Sequence, residues 1–368
     1  MAGGRPASEG IRKRRAQTPR REERTCLAQD WMEPGMVTIT SLAQDERTAR
    51  MFLGGVLEPN DSRTGRLVAE VGAVETVRLA TTKDAPLPKV LDATEGELWR
   101  QQVSPRLLVD AVKPLAGRTD ALGLQVLIPG DKDWPKGLAA LGTREPLALW
   151  VRGSASFLSS PINENVTFAG ARAVSGYGVQ VTTELARELA RDQYLIVSGG
   201  AYGVDAAAHR AALEVGGTTA AVMAGGLGRL YPSGNSDLLE RVGDVGVLVS
   251  EVGPDSAPTR WRFLARNRIL AALSAATIIP EAGYRSAALQ VAVEAYDLGR
   301  EVGAVPGPVT STTSTGAHRL IREEYAQIVT NSEDVRDLLV DPDATPPRRI
   351  GSYRVPQHVR AVAQRNSI

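Results

Sequence analysis

The spacing of apolar positions changes character along these 368 residues. From about residue 41 to residue 116 it follows a helical period. Leu42, Ala49, Met51, Phe52, Leu53, Val56 and Leu57 make one stripe, and residues 65–80, GRLVAEVGAVETVRLA, make another. Residues 94–103 predict a further helix, with Thr94 placed to cap it and Glu97 three positions on as the partner of a capping box. After the turn at 117–123 short apolar runs take over, at 124–128, 147–151, 165–170, 194–198, 218–224, 246–250, 276–280 and 301–306. These read as strands. Helical stretches at 179–192, 205–216 and 286–300 lie between the later ones. Strand, glycine turn and helix in alternation predict an α/β fold, a mainly parallel sheet with helices on both faces, preceded by a small helical domain.

The ends of the chain read differently. Residues 1–24 hold eight arginines and lysines against three glutamates and scarcely an apolar side chain, so 1–35 is expected to be a disordered basic arm. Such an arm is either a solubilising tail or a nonspecific tether for phosphates. Residues 36–120 form the helical domain, for which scaffolding is the plainer role and a contact module the alternative. Residues 121–340 form the sheet domain. Residues 341–368, rich in proline and arginine, are a flexible tail too short for a further domain such as a winged helix.

Charge adds a constraint. Basic residues number 43 and acidic residues 42, so any affinity for nucleic acid must come from local patches. Cys26 is the only cysteine, which leaves no internal disulfide and no thiolate cluster; His209, His318 and His358 are too widely spaced to suggest a metal site. No apolar run reaches the roughly 18 residues of a membrane span, and the N-terminus lacks the apolar stretch of a signal peptide. A cytoplasmic protein without a membrane partner, metal or cofactor is the expectation.

Candidate chemistry gathers where strands end in glycine. The turn 170-GAR-172 places Arg172 where its guanidinium can lie over an anion held by loop amides, or can pair with a surface carboxylate. It is not the G-x-G-x-x-G dinucleotide signature. In the turn 198-SGGAYGVDAAAH-209, Gly199, Gly200 and Gly203 let the backbone pass close to a bound group. Asp205 and His209 follow; no second carboxylate or nucleophile is spaced to make them catalytic, so Asp205 is expected to cap and His209 to pack against the sheet. Residues 225–235, GGLGRLYPSGN, read as a loop whose Tyr231 either stacks on a base or packs beneath it. Residues 259–268, TRWRFLARNR, read as a basic loop, with Arg260, Arg262, Arg266 and Arg268 interleaved with Trp261 and Phe263. That mixture is what a single strand of nucleic acid asks of a protein. Glu281 is expected to be an internal partner for an arginine.

In their order these segments closely resemble the DNA-processing protein A (DprA/Smf) family. The segments 170-GAR-172, 198-SGGAYGVDAAAH-209, 225-GGLGRLYP-232, 250-SE-251, 263-FLARNRI-269, 281-EA-282 and 305-VPG-307 carry the resemblance, together with 131-DKDWPKGLAAL-141 and 148-ALWVRG-153 before them. It covers about residues 120–335 strongly and 40–115 loosely. The resemblance implies an extended Rossmann-like domain that binds single-stranded DNA, forms a homodimer, protects the strand and helps load a RecA-type recombinase onto it, as in natural transformation, without catalysis. The DNA-binding residues it implies are Arg172, Ser198, Gly199, Gly200, Ala201, Tyr202, Gly203, Gly225, Gly226, Arg262, Phe263, Arg266, Asn267, Arg268 and Ser286. Three positions depart from the family's pattern: Tyr202 stands where many members carry lysine, residues 286–292 read SAALQVA in place of a glycine- and hydroxyl-bearing run, and Ala317 replaces an asparagine. A nucleotide-binding module or a phosphoribohydrolase of the same broad fold is the alternative. The place of the latter's glycine turn and catalytic glutamate reads 280-PEAGYRSAALQ-290, without that glutamate.

Overall fold

Five helices come first in the structure, a computed structural model that describes residues 38–339. They are α1 (Ile39–Leu42), α2 (Glu46–Val56), α3 (Ser62–Thr81), α4 (Ala93–Val103) and α5 (Val109–Ala121). The basic arm 1–35 with Cys26 and the tail 341–368 lie outside the described residues. The stripes of α2 and α3 close on each other through Phe52, Leu53, Leu67 and Val77, and Trp99 of α4 completes this core. The Trp99 indole nitrogen donates to Thr64 Oγ1 at 2.9 Å, which satisfies the one polar atom that the ring carries inside. The cap of α4 differs from the expectation: Asp92, not Thr94, accepts from the Glu95 amide, and the Glu95 side chain returns the bond to the Asp92 amide. The capping box is two residues earlier because Asp92 has the extended backbone that a cap needs. Helix α5 was not expected; Pro114 sits inside it.

All eight expected strands form, as β1 (Gln125–Leu127), β2 (Leu149–Gly153), β3 (Asn165–Phe168), β4 (Leu195–Ser198), β5 (Thr219–Met223), β6 (Val247–Ser250), β7 (Ala276–Ile279) and β8 (Glu301–Ala304). A ninth, β9 (Gln327–Ile328), escaped the sequence pattern because it is two residues long and exposed on both sides. The nine make one sheet in the order β1-β2-β6-β5-β4-β3-β7-β8-β9. From β6 to β9 every neighbouring pair is parallel, whereas β1–β2 and β2–β6 are antiparallel. The central parallel strands, β3 to β7, are buried on both faces, which is why they read as continuous apolar runs rather than alternating ones.

Helices cover both faces. On one side α6 (Gly176–Arg191), α7 (Val204–Glu214) and α12 (Ser332–Leu338) bury Leu185, Leu189, Ala208 and Val335 against Val166, Ile196 and Ile278. On the same face α8 (Ser236–Val245) sets Leu239 and Val242 against Ala221 and Leu248. On the other side α9 (Arg260–Ala272) and α10 (Ala288–Asp297) pack Ile269, Leu270 and Val291 on Val197, Val222 and Val249. Helix α11 (Thr315–Arg322) adds Ala317 and Leu320 to this second core.

The helical segment is fastened to the sheet by specific pairs. Arg47 grips Asp131 with both terminal nitrogens at 2.6 and 2.7 Å, and Arg262 meets Glu58 twice at 3.1 Å. The Trp150 indole donates to Thr119 Oγ1 at 3.1 Å. Residues 39–339 thus form one unit.

A candidate nucleic-acid interface at the strand ends

The loops that leave the carboxyl ends of β3, β4, β5 and β6 converge on one cleft, where ligands of parallel α/β sheets bind. Its volume is about 70 Å³. Arg172 comes from the loop after β3, Gly199, Ala201 and Tyr202 from the loop after β4, and Ala224, Gly225, Tyr231 and Pro232 from the loop after β5. Pro258 and Phe263 close it from the segment after β6. The β3/β7 crevice, where the strand order reverses, is filled instead by Glu281, which accepts from the Ser175 amide at 2.7 Å, from Ser175 Oγ at 2.8 Å and from Thr313 Oγ1. Glu281 therefore serves a helix start and two hydroxyls, not an arginine.

The expected basic loop at 259–268 is a helix. Thr259 caps α9 by accepting from the Arg262 amide at 3.2 Å, and no glycine or proline interrupts the residues that follow. Helical geometry then sorts the side chains by face. Phe263 and Arg266 turn towards the cleft, and Arg268 turns the other way. The Arg172 guanidinium lies 4.7 Å from the centre of the Phe263 ring, that of Arg266 5.8 Å from it, and Tyr231 meets the ring edge-on at 6.1 Å. Tyr202, Tyr231 and Trp261 are roughly half exposed, so aromatic faces and Arg172 are open to solvent together. Arg172 and Tyr231 are thus rim residues, Arg172 without an ion-pair partner among the described residues and Tyr231 against the edge of Phe263.

Glycine matters most at Gly203. Its φ is +79°, and a Cβ there would fall 2.1 Å from the Ala171 carbonyl oxygen, so only glycine lets the β4 turn lie against the β3 turn. Asp205, two residues on, does not cap the first turn of α7 with its side chain; the cap is Gly203 and Asp205 accepts from the Ala201 amide at 3.2 Å. Burial raises the Asp205 carboxyl, and the nearby Arg266 draws it back. Arg266 is itself buried, its pKa lowered to about 10 by the loss of solvent and partly restored by Asp205. It remains cationic near neutrality and donates to the carbonyls of Gly199, at 3.0 Å, and Val222. Its charge underlies the cleft without reaching the rim.

Other expected contacts lie elsewhere. Ser198 is fully buried and donates to the Phe168 carbonyl at 2.7 Å. The Gly226 amide is taken by the Ser256 carbonyl at 2.8 Å, and its Cα is pressed between the carbonyls of Gly253 and Pro254. Gly200 is buried, with its carbonyl occupied by Asn235 at 3.0 Å. Arg268, 1% exposed, binds Glu251 and the Arg144 and Ala265 carbonyls. Asn267 is buried beside Ala287, Arg262 belongs to the Glu58 contact, and Ser286 supports the start of α10 through the Ala288 amide. A floor of bare amides is thus too simple. The β4 and β5 turns spend most of their polar groups internally, and what they offer outward is shape. Pro258 and Ala224 were missed as lining residues; the position of Pro258 just before the Thr259 cap was the available signal.

His209 is fully buried on α7. Thr219 Oγ1 donates to the Ile196 carbonyl at 2.6 Å, so the 2.7 Å contact between His209 Nδ1 and Thr219 Oγ1 has the histidine as donor. Nε2 then carries only its lone pair and has no partner. Burial lowers the His209 pKa to about 3. The ring is a packed neutral imidazole, as expected.

Comparison with known proteins now identifies the fold's kin. The model of the DNA recombination-mediator protein A family matches residues 125–340, more than half of the chain. The chain belongs to this family. A DprA protein of Mycobacterium tuberculosis is 38% identical over 294 residues, which cover 77% of this chain and 72% of that one. The DNA processing protein DprA of Streptococcus pneumoniae is 39% identical over 190 residues, covering 52% and 66%. Among solved structures, DNA processing protein A of S. pneumoniae aligns with a TM-score of 0.62 at 28% identity, over 82% of this chain and 98% of that one. The Helicobacter pylori protein, described for its unique single-stranded DNA binding mode, aligns with a TM-score of 0.53 at 31% identity, over 58% and 95%. The loops that line the cleft, from β3 through α9, all fall inside the matched residues. Among the described residues, no helix is long and apolar enough to cross a membrane, and no group of histidine, cysteine and carboxylate side chains is placed to hold a metal ion.

Proposed function

We propose that this member of the DNA recombination-mediator protein A family binds single-stranded DNA in the cleft at the strand ends, protects it, and helps a RecA-type recombinase load onto it. It acts in the cytoplasm as a homodimer and without catalysis. The observation that carries the reading is the stack of Arg172 on Phe263, with Tyr231 against the ring edge. A single strand offers alternating anionic phosphates and flat bases, and a cation held beside open aromatic faces meets both. Cys26 and the arm 1–35 play no part in this argument. Asp205 and Glu281 are buried and engaged by amides or hydroxyls, which supports binding over a carboxylate-driven hydrolysis. Self-association and the recombinase rest on the family membership alone.

The experiment is a titration of oligothymidylate against the chain at several salt concentrations. Binding is expected to weaken steeply with salt, and Arg172→Ala to flatten the log–log slope by about 0.7, one phosphate contact on a single strand. Binding indifferent both to salt and to Arg172→Ala would overturn the reading. Recombinase filaments are expected to nucleate faster on protein-covered strands than on the same strands without the chain.

A further inference from the structure

A second groove begins where the cleft ends. It runs between α6 and α7, has a volume of about 380 Å³, and is lined by Arg172, Val174, Val179, Thr183, Ala207 and Arg210, among others. Arg172 lines both hollows, while of the adjacent residues Tyr202 lines the cleft and Gly203 the groove. The two hollows therefore meet at Arg172. We propose that the α6–α7 groove is a second phosphate subsite, in which Arg210 takes a phosphodiester of the strand that leaves the aromatic cleft past Arg172.

The floor of the groove is made by Ala207 and Ala211, small buried side chains of α7 where it faces α6. Arg210 stands beside them on the same helix. It is exposed, and no carboxylate among the described residues forms an ion pair with it; Glu214, one turn further along the same helix, is paired with Arg187 at 2.8 Å. Arg172 likewise has no ion-pair partner among the described residues. The groove thus carries two guanidiniums without an ion-pair partner among the described residues, with a hydroxyl, Thr183, on the facing helix. Arg210 lies six residues into α7, about 9 Å along the helix from the turn that frames the cleft. That offset suits a phosphate further along the strand, not a second contact to the phosphate at Arg172. The arrangement also answers the departure at Tyr202. The β4 turn presents an aromatic ring where a cation was expected, and the same helix supplies a cation further down.

This inference rests on the reading of the cleft as a single-strand site, and its test separates the two. Oligothymidylate long enough to leave the cleft is titrated across salt concentrations against wild type, Arg210→Gln, Arg210→Lys and Arg172→Ala. Arg210→Gln is expected to lower the log–log slope by about 0.7 and to weaken binding about fourfold at 0.15 M salt, the counterion release of one phosphate contact. Arg210→Lys keeps the charge and is expected to restore the slope. Val179→Glu, an exposed groove residue, is expected to weaken binding as well, because it sets a carboxylate against the backbone of the strand. An unchanged slope in Arg210→Gln beside a reduced one in Arg172→Ala would overturn the groove and leave the cleft standing. An unchanged slope in both variants, or no binding by wild type, would overturn both.

Discussion

Arg172 and Phe263 lie almost a hundred residues apart and meet at 4.7 Å, guanidinium over ring, at the mouth of the cleft. Each fixes the other: the ring orients the cation, and the cation holds one ring face, so the pair presents a charge and a flat apolar surface in a set relation. The stack is worth about 0.5–1 kcal/mol at an exposed site.

The two residues are expected to fail in different ways. Phe263→Ala removes a stacking surface and should cost about 1–3 kcal/mol in oligothymidylate binding while leaving the salt slope nearly as it was. Arg172→Ala should lower the slope by about 0.7. In the double variant the losses are expected to sum to less than the two single losses, by about the energy of the stack, because each single change already breaks the pair. A double-mutant cycle read by fluorescence anisotropy at two salt concentrations checks all three. Equal slopes for wild type and Arg172→Ala would remove Arg172 from the phosphate path.

Tyr202 offers a gain-of-binding counterpart. It is half exposed on the rim, and its hydroxyl accepts from the Gly234 amide at 3.2 Å, an exposed contact of small weight. Tyr202→Lys should therefore fold as wild type does, add one cation to the rim, and raise the salt slope by about 0.7. Thermal unfolding and the same titration read the two halves of that expectation. If the slope stays unchanged, a side chain at this position does not reach the phosphate backbone.

Most of the sheet was legible because its strands are buried on both faces and bounded by glycine, which makes them continuous apolar runs. Helix α9 was not, and the reason is specific. A helix that buries Arg266 and Arg268 presents arginines on its inward faces, so its sequence reads as a basic loop. What those arginines satisfy, the Gly199, Val222, Arg144 and Ala265 carbonyls and the Glu251 carboxylate, comes from segments remote in sequence and leaves no local trace. Ser198 and Gly226 misled in the opposite sense. They sit in the turns that shape the cleft, but their polar groups point into the protein. Arg172 and Phe263 stand out in the sequence as candidate residues; their contact does not.

Acid should unfold this protein earlier than its surface charges alone would dictate. His209 has an ordinary value of 6.5 and is held at about 3 in the folded protein. Below pH 6.5 the unfolded chain takes up a proton that the folded chain refuses, so stability falls as pH falls through that window and is unaffected above it. The slope from this one group approaches about 1.4 kcal/mol per pH unit. His209→Gln can keep a donor to Thr219 and has no titration there. Urea unfolding between about pH 7 and pH 5 should show the slope in wild type and its loss in the variant. A wild-type stability flat across that range would mean that His209 protonates freely in the folded state.

Arg268 and Glu251 form a buried pair behind the cleft, and the two members are expected to matter to folding and not to DNA. The guanidinium is saturated by the carboxylate and by two carbonyls, so Arg268→Met leaves Glu251 charged, buried and without its cation. Removal of one partner from such a pair costs about 3–5 kcal/mol, whereas replacing both by apolar groups of similar volume is often neutral. Arg268→Met is therefore expected to lower the midpoint of denaturant unfolding sharply, and Arg268→Met with Glu251→Met to recover most of the loss. At temperatures where the single variant remains folded, its salt slope for oligothymidylate should equal that of wild type, because the side chain never reaches the rim. A reduced slope in the folded variant would place Arg268 in the path of the strand after all and would require α9 to turn its buried face outward on binding.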